Sequence, residues 1–351
     1  MANKHLPHDL AQMQSLPLEA KIIMTKQRIR QWYEYWDGMV YVSFSGGKDS
    51  TVLKHIVDSM YDDVPSLFVN TGLEYPEIQK FAMQQKNVVT VRPKMRFDEV
   101  IKTHGYPVLS KETAHYIQYG RRALDKGDII QAEKYIEGLK FNKKTGEAYY
   151  FKPMSKLAKS LFSERSIPVS DACCMVMKKT PAKKYAKETG RKPIIGTMAV
   201  ESKLRYTKWL QHGCNAFGTK EPTSQPLSFW TEQDILHYIK KYDVPYCSVY
   251  GDIVADTGGD DNQINIIDLL GCYEEEDKLK TTGCNRTGCI FCMFGCHLEK
   301  EPNRFQRLKE THPRQYEYCI GGGEMVDGKW QPSKEGLGLG HVLDFIGVKY
   351  D

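Results

Sequence analysis

No run of about 18 apolar residues occurs in the chain, so nothing in it reads as a membrane-spanning helix. Met1 to Leu10 carry no apolar signal core, and the expectation is a cytoplasmic protein with no membrane partner. No internal repeat is evident. Ten cysteines in a reducing compartment are poorly explained by a disulfide framework. Four of them crowd between Cys284 and Cys296, which points to metal or redox chemistry. What remains is ordinary globular composition, 41% hydrophobic and 26% charged. At 351 residues the chain exceeds the usual single domain, so one large α/β domain with an appended module, or two domains, is expected.

The net charge of +5 is unevenly spread. Between Lys111 and Ser160 eleven Lys/Arg stand against six Asp/Glu, and the remainder is neutral. Such a segment could face a polyanion such as nucleic acid, or could be a solvated helical face with acids interspersed.

Residues 17 to 37 have amphipathic helical spacing, and Met39 to Phe44 is a short β-branched run that ends in Ser-Gly-Gly. The spacing of Val52, Leu53, Ile56, Val57 and Met60 opens a helix directly after that glycine turn. Strands at Ser66–Val69 and Val88–Val91, each followed by a helical pattern, repeat the unit. The alternation predicts an α/β fold with a doubly wound parallel sheet, helices on both faces, and ligands at the carboxyl ends of the strands. From about 108 to 165 the chain is polar, Lys-rich and helical, with a turn at Asn142-Lys143-Lys144-Thr145-Gly146, and reads as an insertion. A strand at Pro193–Thr197 and a helix at Thr231–Lys241 resume the pattern, and the glycine-rich last thirty residues show little periodicity.

The order strand, Ser45-Gly46-Gly47-Lys48-Asp49-Ser50, helix is the sequence's most specific feature. Gly46 and Gly47 let backbone approach an anion, and the first N–H groups and dipole of the following helix favour negative charge there. Lys48 adds a full positive charge for a β- or γ-phosphate. Ser45 and Ser50 can donate hydroxyl hydrogen bonds, and Asp49 could hold Mg²⁺ or cap the helix. The spacing is not that of the Walker loop, which needs four residues between its first glycine and Gly-Lys. It resembles the PP-loop of ATP pyrophosphatases, in the superfamily that also contains the phosphoadenosine-phosphosulfate (PAPS) and adenosine-phosphosulfate (APS) reductases.

The resemblance extends over most of the chain. Thr71-Gly72-Leu73-Glu74-Tyr75-Pro76-Glu77 resembles the segment with which that family contacts adenosine, which implies nucleotide contacts from Thr71, Gly72 and Glu74. Gly196, Glu201, Ser202 and Arg205 are similar to the family's Gly-x-Arg-x-x-Glu-Ser-x-x-Arg segment, from which Met198 departs. Arg205 could neutralise an α-phosphate or sulfate, whereas Met198 cannot replace an arginine's charge. Glu201 and Arg205 could equally be an i, i+4 ion pair. Pro226-Leu227, Trp230 and Val244-Pro245-Tyr246 also match, with plain core packing the simplest role for Trp230 and Tyr246.

Cys173-Cys174 and Cys289-x-x-Cys292 resemble the set that binds a 4Fe-4S cluster in APS reductases, with Lys178 placed to offset cluster charge. The run Cys284, Cys289, Cys292, Cys296-His297 could instead hold zinc by itself. Cys284 and Cys296 could also be spare thiols or sulfur carriers. Cys214, Cys247 and Cys272 are expected to pack as small buried residues. The expected organisation is an N-terminal helix over 1–37, a nucleotide-binding domain over 38–266, and a Cys-rich iron-sulfur module with its tail over 267–351.

Two activities follow from the resemblance. A sulfonucleotide reductase needs a thiolate that attacks the substrate sulfur, and Cys319, in Glu317-Tyr318-Cys319-Ile320-Gly321, stands where the family's C-terminal cysteine would be, in an altered motif. Lys48 leans the other way, because a lysine in this loop implies ATP. The ATP-pyrophosphatase component of DNA phosphorothioation systems and the tRNA thiolases use such a loop to adenylate an oxygen that sulfur then displaces. That reading, with Lys48, Asp49 and Arg205 at the chemistry and ATP, Mg²⁺ and the cluster as cofactors, is placed first. Its partners would be a nucleic-acid acceptor and a cysteine desulfurase or thioredoxin-like donor. The third class is a non-catalytic nucleic-acid-binding module.

Overall fold

The computed structural model describes residues 3–142, 145–256 and 277–351. Lys143 and Lys144 of the expected turn, Cys272 and the expected boundary at 266/267 lie outside the described residues. The chain forms two compact units. The first holds Met1–Asn70, Glu74–Arg92 and Pro181–Gly288, the second Thr71–Leu73, Pro93–Thr180 and Cys289–Asp351.

This division differs from the expected organisation along the chain. The segment read as an insertion shares its unit with the C-terminal residues: Val108–Leu109 pairs in parallel with Met293–Phe294, and the Tyr106 hydroxyl donates to the Leu337 carbonyl at 2.9 Å. Pairings between distant segments leave no local mark in composition, which is why the sequence placed the boundaries elsewhere.

In the first unit the sheet consists of β1 (Val40–Phe44), β2 (Ser66–Val69), β3 (Val88–Val91), β4 (Lys192–Ile195), β5 (Asn215–Ala216) and β6 (Thr223–Ser224). Its order is β3-β2-β1-β4-β6-β5. All neighbours are parallel except β5 and β6. β1 is buried along almost its whole length, as a central strand covered on both faces should be. The helices α1 (Leu18–Tyr35), α2 (Lys48–Asp58), α3 (Pro76–Gln84), α4 (Lys203–His212) and α5 (Glu232–Lys241) surround it. The sheet grows from β1 through β2 to β3 on one side and through β4 on the other. Right-handed crossovers therefore send helices to both faces and open a crevice at the carboxyl ends of β1 and β4.

Trp32, Val42, Leu53, Ile56, Trp209, Phe229 and Trp230 fill the core of this unit. Trp230 is fully buried and its indole N–H donates to Thr25 at 2.9 Å, so its role is packing. Cys214 and Cys247 are buried as expected. α5 starts at a capping box in which the Thr231 hydroxyl accepts from the Asp234 N–H at 3.3 Å and the Asp234 carboxylate accepts from the Thr231 N–H at 2.6 Å. Lys21, itself buried, pairs with Asp234 at 2.7 Å and anchors α1 to that cap.

The second unit is mainly helical, with Phe97–His104, Lys111–Asp125, Ile129–Ile136, Lys156–Ser163, Arg304–Thr311, Pro313–Ile320 and Leu339–Phe345. Arg121 shows that one cation of the basic segment serves the fold. Its buried guanidinium donates to the carbonyls of Phe162, Ile167 and Glu164 at 3.0, 2.8 and 2.7 Å, and to that of Leu161. The Leu161, Phe162 and Glu164 carbonyls lie at the end of Lys156–Ser163, where a helix leaves its carbonyls unpaired, and Ile167 lies in the loop that follows. The expected wholly helical insertion also contains an antiparallel hairpin, Leu139–Phe141 with Ala148–Tyr150.

Candidate functional site

Residues 45 to 50 sit where β1 ends and α2 begins. Gly46 has φ +74°, and a Cβ there would meet Ile78 Cγ2 at 2.9 Å, so only glycine fits. Gly47 is the N-cap of α2, and the Ser45 and Ser50 hydroxyls lie 3.0 Å apart, bracing the turn. Ser50 also donates to the Gly47 carbonyl at 2.9 Å. At the end of β4, Gly196 passes so close to α2 that a Cβ would lie 3.0 Å from the Asp49 carbonyl.

Between these strand ends lies a recess of about 1220 Å³, open mouth included, lined among others by Ser45, Gly47, Lys48, Asp49, Ser50, Met198, Glu201 and Arg205. The loop residues and the Glu201/Arg205 segment, far apart in sequence, thus share one cavity. The lining residues not singled out from the sequence include Glu232, Tyr250, Asn285 and Arg286. Arg286 lies in the cysteine-rich stretch, between Cys284 and Cys289. Its only sequence signal is a cation inside an otherwise metal-like run.

The electrostatics of the recess are balanced. Lys48 is buried, its ammonium pairs with Glu232 and donates to the Asn285 carbonyl at 2.8 Å. The Glu201 carboxylate is shared by the Arg205 and Arg286 guanidiniums. Glu201 and Arg205 are therefore the i, i+4 pair weighed above, extended by a third member that faces the recess. Met198 is buried in the same wall and supplies no charge. The Tyr250 hydroxyl accepts from the Lys48 N–H at 3.2 Å and lies 2.6 Å from the Thr287 hydroxyl; burial pushes its pKa up to about 12, so it keeps its proton.

Asp49 does not cap α2. Its buried Oδ1 has no hydrogen-bond partner among the described residues. Burial raises its carboxyl above the usual range, while Lys48 and Arg286 oppose that shift. A buried acceptor oxygen without a donor fits a cation such as Mg²⁺ better than it fits capping. Three cations (Lys48, Arg205, Arg286) face three carboxylates (Asp49, Glu201, Glu232) in this wall. A bare polyphosphate would therefore meet a nearly neutral recess, and a divalent ion bound with it would restore attraction.

Of the other expected nucleotide contacts, Glu74 does not line this recess. Thr71 and Gly72 belong to the second unit; Gly72 has φ +73° and the Thr71 hydroxyl accepts from the Leu73 N–H at 3.1 Å.

The second unit brings Cys173, Cys174, Cys289 and Cys292 to one recess with Leu73, Phe97, Pro107, Met177 and Lys178. Cys174 leads into a π-helical turn, Met175–Lys179, a distortion the sequence did not reveal. Cys289-x-x-Cys292 closes a turn through the Cys292 N–H to the Cys289 carbonyl at 3.1 Å, and the Ile290 N–H holds that turn on the Leu73 carbonyl at 2.8 Å. Cys173 and Cys174 share a hydrogen bond that lowers the Cys174 thiol, with Lys111 and Lys178 acting in the same direction, and raises its partner.

Among the described residues no group of three or more His, Cys, Asp or Glu is arranged around a point that a single ion would occupy. Cys296 is buried and donates to the Met293 carbonyl at 3.1 Å. A four-iron cluster takes one thiolate per corner of a cube, so its sulfurs stand farther apart than four sulfurs around one ion. Four thiols on one apolar recess beside a lysine fit that group.

Cys319 is fully buried on Pro313–Ile320, and burial pushes its thiol well up. A thiolate nucleophile must be ionised and reachable, and burial of Cys319 opposes both conditions.

The first unit is a doubly wound α/β protein with a glycine-turn recess at its switch point, and the second carries a recess to which four cysteines contribute. The chain belongs to the phosphoadenosine phosphosulfate reductase domain family, whose model matches residues 39–126 and 128–293. It is similar to an uncharacterised protein of Methanocaldococcus jannaschii, 34% identical over 87 residues that make up 22% of this chain and 21% of that protein. The match spans about a fifth of the length of that curated relative. Among solved structures it is similar to a PAPS reductase from Candida auris in a phosphate complex, with TM-score 0.36 and 14% identity over 74% of this chain and 99% of that one. It is also similar to the U34-tRNA thiolase of Methanococcus maripaludis with its [4Fe-4S] cluster, with TM-score 0.31 and 15% identity over 65% of this chain and 66% of that one. No helix among the described residues is long and apolar enough to cross a membrane.

Proposed function

We propose that this chain is an ATP-dependent sulfurtransferase that adenylates an oxygen of a nucleic-acid acceptor and replaces it with sulfur. The observation that carries this reading is the pairing, in one recess, of a buried lysine with a buried carboxylate oxygen that lacks a partner among the described residues. Lys48 suits a β,γ-diphosphate, Asp49 suits the Mg²⁺ that travels with it, and Arg205 and Arg286 suit an α-phosphate. The acceptor oxygen attacks the α-phosphorus, the bond to the β-phosphate oxygen breaks, and pyrophosphate leaves. Sulfur at the sulfide level then attacks the activated carbon, the carbon–oxygen bond breaks, and AMP leaves.

Cys173, Cys174, Cys289 and Cys292 would hold a 4Fe-4S cluster, which when bound supplies iron as a Lewis acid toward sulfur. The residues of the recess bind, orient and neutralise. Lys48 and the amide groups at the start of α2 stabilise the charge that develops on the leaving pyrophosphate. The protonated Tyr250 braces the turn through the Lys48 N–H.

Reduction of APS or PAPS is the competing reading, and its nucleophile would be Cys319, which is fully buried. The deciding experiment gives anaerobically purified protein Mg-ATP, APS and PAPS in parallel and resolves AMP, pyrophosphate and sulfite. AMP and pyrophosphate formed from ATP and lost in Lys48→Ala would support sulfur transfer, whereas sulfite formed from either sulfonucleotide would overturn it.

A further inference from the structure

The second unit carries a hairpin whose exposure is at odds with its composition. Leu139–Phe141 pairs with Ala148–Tyr150 in the register Leu139 with Tyr150, Lys140 with Tyr149 and Phe141 with Ala148. Phe141, Tyr149, Tyr150 and Phe151 are 48, 47, 63 and 57% exposed. Opposed residues share a face, and side chains alternate along each strand. Lys140, Tyr149 and Phe151 therefore fall on one face, and Phe141 and Tyr150 on the other. Lys140 stands over the Phe151 ring at 4.2 Å.

Three consecutive exposed aromatic residues are unfavourable in water unless something covers them. The surroundings say what would. Of the described residues between 139 and 156, three are lysines and one is a glutamate. Lys140, Lys152 and Lys156 are exposed. Protein interfaces favour aromatics but are depleted in lysine, whereas surfaces that take single-stranded nucleic acid combine stacking rings with cations for the backbone. The flank of the hairpin is tied to a helix that carries another cation and ring. Lys152 pairs with Glu112 of Lys111–Asp125 at 2.8 Å, and on that helix Arg122 lies 5.3 Å from the ring of Tyr119.

We infer that the paired strands Leu139–Phe141 and Ala148–Tyr150, with Phe151, form a docking surface for a single-stranded segment of nucleic acid, their aromatic rings stacking on unpaired bases while Lys140, Lys152 and Lys156 meet phosphates. The inference deepens the proposed function by placing acceptor contacts on this hairpin, and it rests on that reading for the acceptor's class. Duplex hides base faces, so unpaired RNA or DNA is the form recognised.

The test uses the full chain and fluorescein-labelled 20-nucleotide single strands of RNA and of DNA, with a duplex competitor, followed by anisotropy at two salt concentrations. Tyr149→Ser with Tyr150→Ser should weaken single-strand binding by about tenfold or more. Lys140→Gln with Lys152→Gln should reduce the salt dependence. Circular dichroism and nucleotide turnover without nucleic acid should match the parent in both variants. Preference for RNA or for DNA identifies the strand, and either supports the inference. Undetectable binding, or binding that the aromatic variant retains in full, overturns it, as does competition by duplex equal to that by single strand. The Mg-ATP assay reports separately, so AMP formation that persists in a protein without strand binding would sink the hairpin alone.

Discussion

The ammonium of Lys48 is held by the Glu232 carboxylate at the first position of α5. A nucleotide phosphate approaching the turn after β1 must therefore displace a carboxylate from the one lysine of the loop. Glu232 is about half exposed, so the pair is worth little in water. Glu232→Gln should lower the KM for Mg-ATP about two- to fivefold. Lys48→Ala should cut pyrophosphate release by about a hundredfold or more. A Glu232→Gln enzyme that loses turnover at saturating Mg²⁺ would instead make Glu232 a metal ligand.

Arg286 and Arg205 share Glu201, so their effects should not add. Replacing either guanidinium by Leu should weaken nucleotide binding by roughly tenfold. The double variant should lose less than the product of the two. Calorimetric titration with a non-hydrolysable ATP analogue and Mg²⁺ measures the coupling, and strict additivity would exclude a shared anion.

Asp49 carries a pH signature. Burial holds its folded pKa above the ordinary 3.8. A carboxyl shifted upward contributes stability that is complete below the unfolded value and lost as pH rises through the folded one. Ionised Asp49 is therefore a cost at neutral pH. Asp49→Asn should raise the thermal midpoint at pH 7, by about 0.5–2 kcal/mol of stability, and the gain should shrink as pH falls toward 4. The same variant should lose the extra thermal shift that Mg²⁺ adds to ATP. A midpoint unchanged at every pH would mean the carboxyl is not strained.

Cys173→Ser or Cys292→Ser should abolish the brown chromophore and its iron and sulfide content, since each removes one of four thiols on one recess. Cys319→Ala should keep both and cost about 1 kcal/mol by leaving a small cavity. Iron retained in full by the Cys173 variant would remove the double cysteine from the ligand set.

Much of the first unit was legible along the chain. β2 and β3 fall on the residues their apolar runs marked, and α2 opens directly after Gly47, because strand periodicity, a positive-φ glycine and helical spacing are local properties. The hairpin at 139–150 was missed. Its strands are three residues each and only Leu139 among them is buried, so the periodic signal that marks a half-buried strand is absent.

By itself the sequence determined the alternation of strand and helix, the turn at Ser45–Ser50 and the identity of the cysteine pairs. Each depends on neighbours within a few residues, where propensity and spacing act. Only the tertiary structure decided that Arg286 joins Arg205 on Glu201, that Asp49 is left with an unpartnered oxygen, and that Cys319 is sealed from solvent. It also decided that the basic segment and the C-terminal residues form one unit. Burial and charge pairing depend on which distant segments meet, and a linear chain carries no record of those meetings until packing selects among them.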